Sequence, residues 1–292
     1  MAIKYLAGDR LIGTAAERAA LTTGQPTVQD DMTDQSLWTL GTSCSWVTEE
    51  SKPALKVTTG ASPPNLASRA ITLTDNYDEM VIDIDWKMDS ANPDMTFVGV
   101  VSLMASGIDP FNNLTITNNN KTFTLGSNGS SGGHRYYLWR GKEASGSTDH
   151  NQSFDGGVNA TTLYYYRIVI DVPTITIYQF ASDANRTDYN YGGSSGTIVT
   201  TTTITLPTSN CHSSSTTDAA IHSASNKFSH FYTGCKSTSA DNTYLFGFKI
   251  WENTTTATAT VYPNLPNGAI FEESDTGKHY MFDGTDTWNE MT

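Results

Sequence analysis

Alternation of apolar and polar side chains is the dominant signal along this chain. In EMVIDIDWKM, residues 79–88, Met80, Ile82, Ile84 and Trp86 fall on one side, and Glu79, Val81, Asp83 and Asp85 on the other. That period of two belongs to a strand with one buried face. LYYYRIVIDVPTITIYQFAS, residues 163–182, reads as two strands about a turn at Pro173, with Tyr164, Tyr166, Ile168 and Ile170 sharing a face. NTYLFGFKIWEN, residues 242–253, alternates again, and its pattern places Tyr244, Phe246, Phe248 and Ile250 inward. TFVGVVSLM is a continuous apolar run with one glycine, as in a strand buried on both faces. Shorter candidates are PALKVTT, NLTITNN, KTFTLGS, RYYLWRG and GTIVTTTTITLP. About ten strands without helical interruption over residues 30–262 predict a two-sheet sandwich.

The two ends break this pattern. GTAAERAAL carries the clear helix signal: Thr14 followed three residues later by Glu17 is a capping box, and the alanines and Leu21 are good helix formers. A helix of about two turns is marginal alone and needs a neighbour. From Pro263 onward, GAIFEES, a turn at Asp275-Thr276-Gly277, KHYMFDG and DTWNEM predict a three-stranded meander, with Phe271, Tyr280, Phe282 and Trp288 able to supply a small core. The expected organisation is therefore an all-β chain in three parts: an N-terminal arm over 1–29 with a short helix, a two-sheet jelly-roll β-sandwich over 30–262, and a C-terminal β-meander over 263–292. Two stretches, 126–157 and 208–227, are rich in Gly, Ser and Thr and read as loops at the sandwich ends.

Composition narrows the function. Charged residues make up 16% and aromatics 11% of 292 residues, and the formal net charge is −13. A chain this acidic repels nucleic acid, and its scattered Lys and Arg form no run suited to DNA or to a membrane surface. No apolar run reaches the length of a membrane span, and the start MAIKYLAGDRLIG lacks the apolar region of a secretory signal. Three cysteines make no disulfide framework; Cys211 and Cys235 could pair across a loop, and Cys44 reads as a small buried residue. Asn-x-Ser/Thr occurs at Asn113, Asn120, Asn128, Asn151, Asn159, Asn185 and Asn253, which matters only in a host that glycosylates its surface proteins.

The order of these segments resembles the concanavalin A-like jelly roll of the LamG and pentraxin type. DDMTDQSLWTLGTS looks like its opening strand, EMVIDIDWKM like the long strand after the first hairpin, YYYRIVIDVPTITIYQFAS like a later hairpin, and LFGFKIWEN like the closing strand. The two ends, IKYLAGDRLIGTAAERAAL and LPNGAIFEESDTGKHYMFDGTDTWNEM, resemble terminal segments of structural proteins of tailed phages and archaeal viruses. Pro266, Gly268, Phe271, Glu272, Glu273, Asp275, Thr276, Lys278, Tyr280, Gly284 and Trp288 carry that second likeness.

These resemblances imply a non-enzymatic virion structural or surface protein: a capsid decoration, head fibre or tail-associated subunit. It would be exposed on the particle and would assemble with itself, in trimers for example, and with other virion proteins through its termini. Tyr5, Arg10, Phe271, Tyr280, Phe282 and Trp288 are the candidate assembly residues. The alternative is a carbohydrate-binding adhesin of the same fold contacting host glycans. Its candidate residues are His134, Tyr136, Tyr137 and Trp139, with Asp149 and His150 nearby, because sugar sites combine aromatic platforms with planar polar groups. Glycoside hydrolysis ranks third. The laminarinase-like branch of the fold places a Glu nucleophile and a Glu acid on one strand, but here Val81 stands at the nucleophile position and Asp85 replaces the acid. Asp83 and Asp85 then read as the solvent-facing side of a half-buried strand. No cofactor is implied beyond a structural calcium, for which Asp30, Asp31 and Asp34 are the candidate ligands although no EF-hand spacing is present. Cys211, His212, His222, His230 and Cys235 fit no compact zinc spacing.

Overall fold

A computed structural model describes residues 4–6, 10–21, 26–58, 65–73, 79–89, 96–101, 121–127, 135–143, 146–154, 161–171, 174–190, 198–205, 228–235, 241–252, 267–283 and 287–292. In chain order the elements are β1 (Lys4–Leu6), β2 (Arg10–Gly13), α1 (Ala15–Leu21), β3 (Val28–Asp30), β4 (Trp38–Leu40), β5 (Cys44–Glu49), β6 (Lys52–Thr58) and β7 (Asn65–Ala70). Then come β8 (Glu79–Met88), β9 (Thr96–Val101), β10 (Lys121–Ser127), β11 (Arg135–Glu143), β12 (Gly146–Phe154), β13 (Tyr164–Asp171), β14 (Thr174–Phe180) and α2 (Asp183–Asn190). The chain closes with β15 (Ile198–Thr205), β16 (His230–Cys235), β17 (Asn242–Glu252), β18 (Ile270–Glu273), β19 (His279–Phe282) and β20 (Trp288–Glu290).

Two antiparallel sheets build the sandwich. One runs β12-β11-β10-β9-β16-β7-β4; the other runs β15-β14-β13-β8-β17-β6-β5, with β3 also pairing β17. Their inward positions are the apolar sets read from the sequence: Met80, Ile82, Ile84 and Trp86 on β8, and Tyr164, Tyr166, Ile168 and Ile170 on β13, all within one core. Across that core the rings of Phe231 and Phe248 stack with centroids 3.8 Å apart, and Trp38 meets both edge-on. On β9, a side chain at Gly99 would collide with the backbone carbonyl of Phe123. The glycine in that apolar run is therefore a condition of β9 and β10 lying side by side.

Three features depart from the sequence reading. On β17 the inward set is Leu245, Phe248 and Ile250, whereas Tyr244 and Phe246 join a separate cluster with Ala54. The cause is an irregularity in the β17–β8 register between Leu245 and Gly247, which shifts the alternation by one residue. A second helix, α2, interrupts the strands, started by Ser182, whose hydroxyl accepts a hydrogen bond from the Asn185 amide at 3.1 Å. Within 126–157, read as loop-like apart from the strand candidate RYYLWRG, that candidate is part of β11, and it pairs with a second nine-residue strand, β12, that the sequence reading did not predict. The candidate strand NLTITNN and the loop stretch 208–227 lie outside the described residues.

The third sheet joins the chain ends. Its order is β1-β2-β18-β19-β20, and β2 pairs β18 in parallel, Leu11 beside Phe271. The three strands of the meander are present, and the N-terminal segment adds two strands to their sheet and packs its helix against it. Leu11, Ala269, Phe271, Tyr280, Phe282 and Trp288 make its core.

Candidate functional site

Helix α1 shows why the termini hold together. Thr14 and Glu17 form the capping box, the Thr14 amide donating to Glu17 Oε2 at 2.7 Å and the Glu17 amide donating to Thr14 Oγ1 at 3.3 Å. The next free amide of the helix, on Ala15, donates to Asp275 Oδ1 at 3.0 Å, a cap delivered from the far end of the chain. Arg18 then reaches across, donating to Glu273 Oε1 at 2.7 Å and stacking 3.6 Å from the centre of the Tyr280 ring. The Ser274 amide donates to the Gly13 carbonyl at 2.6 Å. Burial raises the Glu273 pKa, but hydrogen bonds from Thr276 and Arg18 outweigh it and hold the carboxyl below its ordinary value. Gly277, at φ +70°, closes the turn that carries Asp275 and Thr276.

The six candidate assembly residues have different fates here. Phe271 and Phe282 are fully buried, and Tyr280 and Trp288 nearly so, inside the module's own core. They hold the module together and are not available to a partner. Arg10 is exposed and pairs with Glu272 at 3.5 Å. Tyr5 takes the position opposite Leu11 in the β1–β2 pairing.

The candidate glycan residues fall on one edge of the sandwich. Trp139 is the register partner of His150, and Tyr137 that of Gln152, so these positions share one face of the β11–β12 hairpin. Phe123 and Leu125, paired with Trp139 and Tyr137 through β10, mark that face as the one continuous with the core. Position 136 and position 149, paired with Ser153 and Arg140, take the other face. Five of the six candidate positions are therefore split between two faces, and the sixth, His134, lies outside the described residues.

The candidate calcium ligands each have a protein partner. Asp30 is buried; it accepts from the Met32 amide at 2.7 Å, from Trp38 Nε1 at 2.8 Å and from Arg69 Nη1 at 2.5 Å. Asp31 accepts from the amide and hydroxyl of Thr33, and Asp34 from those of Ser36 at the start of a 3₁₀ turn. The hydroxyl bonds lead the causes that lower both carboxyl pKa values. Among the described residues no group of three or more His, Cys, Asp or Glu converges as a metal site. Cys211 lies outside the described residues; Cys235 is buried at the end of β16, its Sγ 3.9 Å from the Asp241 carbonyl.

A charge cluster that the alternation pattern misjudged lies on the outer face of the second sheet. Register places Lys249, Asp83 and Arg167 in one row across β17, β8 and β13. Asp83 is 2% exposed and receives both Nε and Nη2 of Arg167, at 2.7 and 2.6 Å. Helix α2 lowers Arg186 onto the same row, where it meets Asp85 at 2.8 Å, Asp183 at 2.7 Å and Asp83 at 3.5 Å. The strand's polar side is thus covered by a helix, not by solvent. Burial pushes the Asp85 pKa up against the pull of Arg186, and burial followed by Arg186 pushes the Lys249 ammonium down. A cleft of about 110 Å³ opens here, lined by Asp31, Asp83, Asp85, Arg186, Gly247 and Lys249 among others. That volume admits water or one small polar group and falls short of the several hundred Å³ of an ordinary ligand pocket. Three carboxylates matched by three cations form a clamp joining three strands to α2.

The sequence matches no protein-family model and no curated protein. Solved structures resemble it in outline. The exoplasmic/lumenal domain of VIP36 is 10% identical with a TM-score of 0.47, covering 78% of this chain and 90% of that one. A lectin from Bauhinia forficata is 9% identical with a TM-score of 0.46, covering 78% and 99%. A botulinum neurotoxin type C structure is 11% identical with a TM-score of 0.44; 77% of this chain aligns, spanning 45% of the length of that chain. At these values no function transfers, and the sandwich is established by the strand pairings themselves.

Proposed function

We propose that this protein is a non-enzymatic structural subunit of a virus particle, exposed on its surface, with the sandwich as its body and the terminal module as its assembly element. One observation carries the reading. The two end segments whose wording resembles virion structural proteins are also the two that fold on each other, through the β2–β18 pairing and the Arg18–Glu273 and Ala15–Asp275 bonds. A shared sequence likeness and a shared sheet favour one module with one task.

The chemistry near β8 supports a non-catalytic role. Asp83 is held by Arg167 and lines only a cleft of about 110 Å³, well short of an ordinary ligand pocket, and Val81 sits buried beside Val169 and Trp251 where a nucleophile would be needed. Among the described residues, no helix is long and apolar enough to cross a membrane. A second reading, glycan binding by the sandwich, retains positions 137, 139 and 150 on one face of the β11–β12 hairpin. Glycan-array binding lost in Trp139→Ala, with the fold intact, would support it.

Mass spectrometry of gradient-purified particles tests the leading reading. The expected result is this chain in stoichiometric multiple copies per particle. Its absence from particles, with the protein found free in the lysate, would overturn it.

A further inference from the structure

The terminal sheet has two faces of different character. The inner face carries the aromatic core, and α1 packs over it through Arg18 and Tyr280. On the outer face, register sets Arg10 beside Ile270 and Ile270 beside Met281, while Glu272 lies beside Ile12 and His279. Met281 is 41% exposed and Met291, just past β20, is 43% exposed, two of the five large apolar side chains exposed among the described residues. Ile12 and Ile270 are half-buried between them. No described element covers this face.

Its charges say what it suits. The chain as a whole carries −13, so two copies repel over most of their surfaces. Here, however, Arg10 and His279 stand on either side of Glu272, at 3.5 and 3.7 Å. The patch holds both signs around an apolar centre. A two-fold axis through it would bring Arg10 of each copy near Glu272 of the other and methionine against methionine and isoleucine, as an isologous contact requires.

We propose that the outer face of the terminal sheet is the docking face for a second copy of this chain, centred on Ile270 and Met281. This deepens the assembly reading above and rests on it for its biological setting. Five strands about 4.8 Å apart, each three or four residues long, present about 300 Å². Two such faces bury about 600 Å², well below a standard stable interface of about 1,600 Å². The contact is accordingly weak for an isolated pair, with a dissociation constant on the order of 100 μM, and it becomes effective when many copies are held together.

Sedimentation velocity of the full chain, from about 10 μM to about 1 mM, tests this. The expected result is a monomer–dimer equilibrium across that range. The double variant Met281→Glu/Met291→Glu, altered only at exposed positions, should stay monomeric. Arg10→Glu should weaken association at least about tenfold, and Arg10→Glu combined with Glu272→Arg should restore it. A monomer at every concentration, a dimer indifferent to the methionine variants, or a charge swap that fails to restore association would each overturn the inference. A chain present in purified particles yet monomeric in this assay would remove the second-copy face and leave the structural-subunit reading standing. A self-associating chain absent from particles would do the reverse.

Discussion

Asp83 and Arg167 make a bidentate pair with both partners almost sealed from water, their side chains 2% and 1% exposed. Removing one partner strands the other charge in a low-dielectric site, which costs about 3–5 kcal/mol. Asp83→Ala should lower sandwich stability by that amount, read as a fall in the urea midpoint with an unchanged slope; a change under about 1 kcal/mol would show that the cluster is not a clamp. Gly99→Ala should also be severe, because the added methyl meets the Phe123 backbone, which cannot move without opening the β9–β10 ladder. A chain with Gly99→Ala that expresses and melts like the parent would contradict that close approach. The glycine was legible as part of a buried strand, since an apolar run interrupted by one Gly is a common sign of tight strand packing. The burial of Asp83 was not, because alternation reports which side of a strand is apolar and not what covers the polar side.

At the scale of elements, the same limit recurs. Strands β8, β13 and β14, the helix α1 and the three strands of the meander follow from periodicity, capping and turn chemistry. The shifted alternation on β17 does not, since an extra residue at Phe246-Gly247 leaves no local mark except the glycine itself. Nor does the parallel pairing of β2 with β18, because nothing local links residues some 260 positions apart. Helix α2 has a local signal, Ser182 followed by Asp183 in the first turn, set within a surrounding strand pattern. The terminal module yields a pH prediction. The Glu273 carboxyl is held below its ordinary value of 4.5 in the folded state, so its contribution is complete above that pH and is lost as pH falls through the lowered folded value. The module should therefore loosen in acid as pH falls below 4.5 and through the lowered folded value, seen as loss of the Trp288 indole resonance dispersion. Glu273→Gln should remove that transition, and its persistence unchanged would assign the acid sensitivity elsewhere.

At the scale of the whole molecule, a two-sheet sandwich carries a small third sheet made from both chain ends. The sandwich class was legible because β8 and β13 declare their buried faces by alternation, although β17 does so only in part. The glycan candidates were legible only as an aromatic cluster; their division between two faces depends on the register of β11 and β12. Five of the six assembly candidates are aromatic, and four of those five lie in the module core. If the termini are the assembly element, disrupting them must release the protein from the particle without unfolding its body. Arg18→Ala removes the ion pair with Glu273 and the stacking on Tyr280 in one step, and it lies in the terminal module, not in the sandwich. The decisive measurement is the copy number of the Arg18→Ala chain in gradient-purified particles, taken beside the parent chain and with the sandwich confirmed folded. The account predicts a loss of at least about tenfold, equivalent to about 1.4 kcal/mol of attachment; incorporation equal to the parent would contradict it.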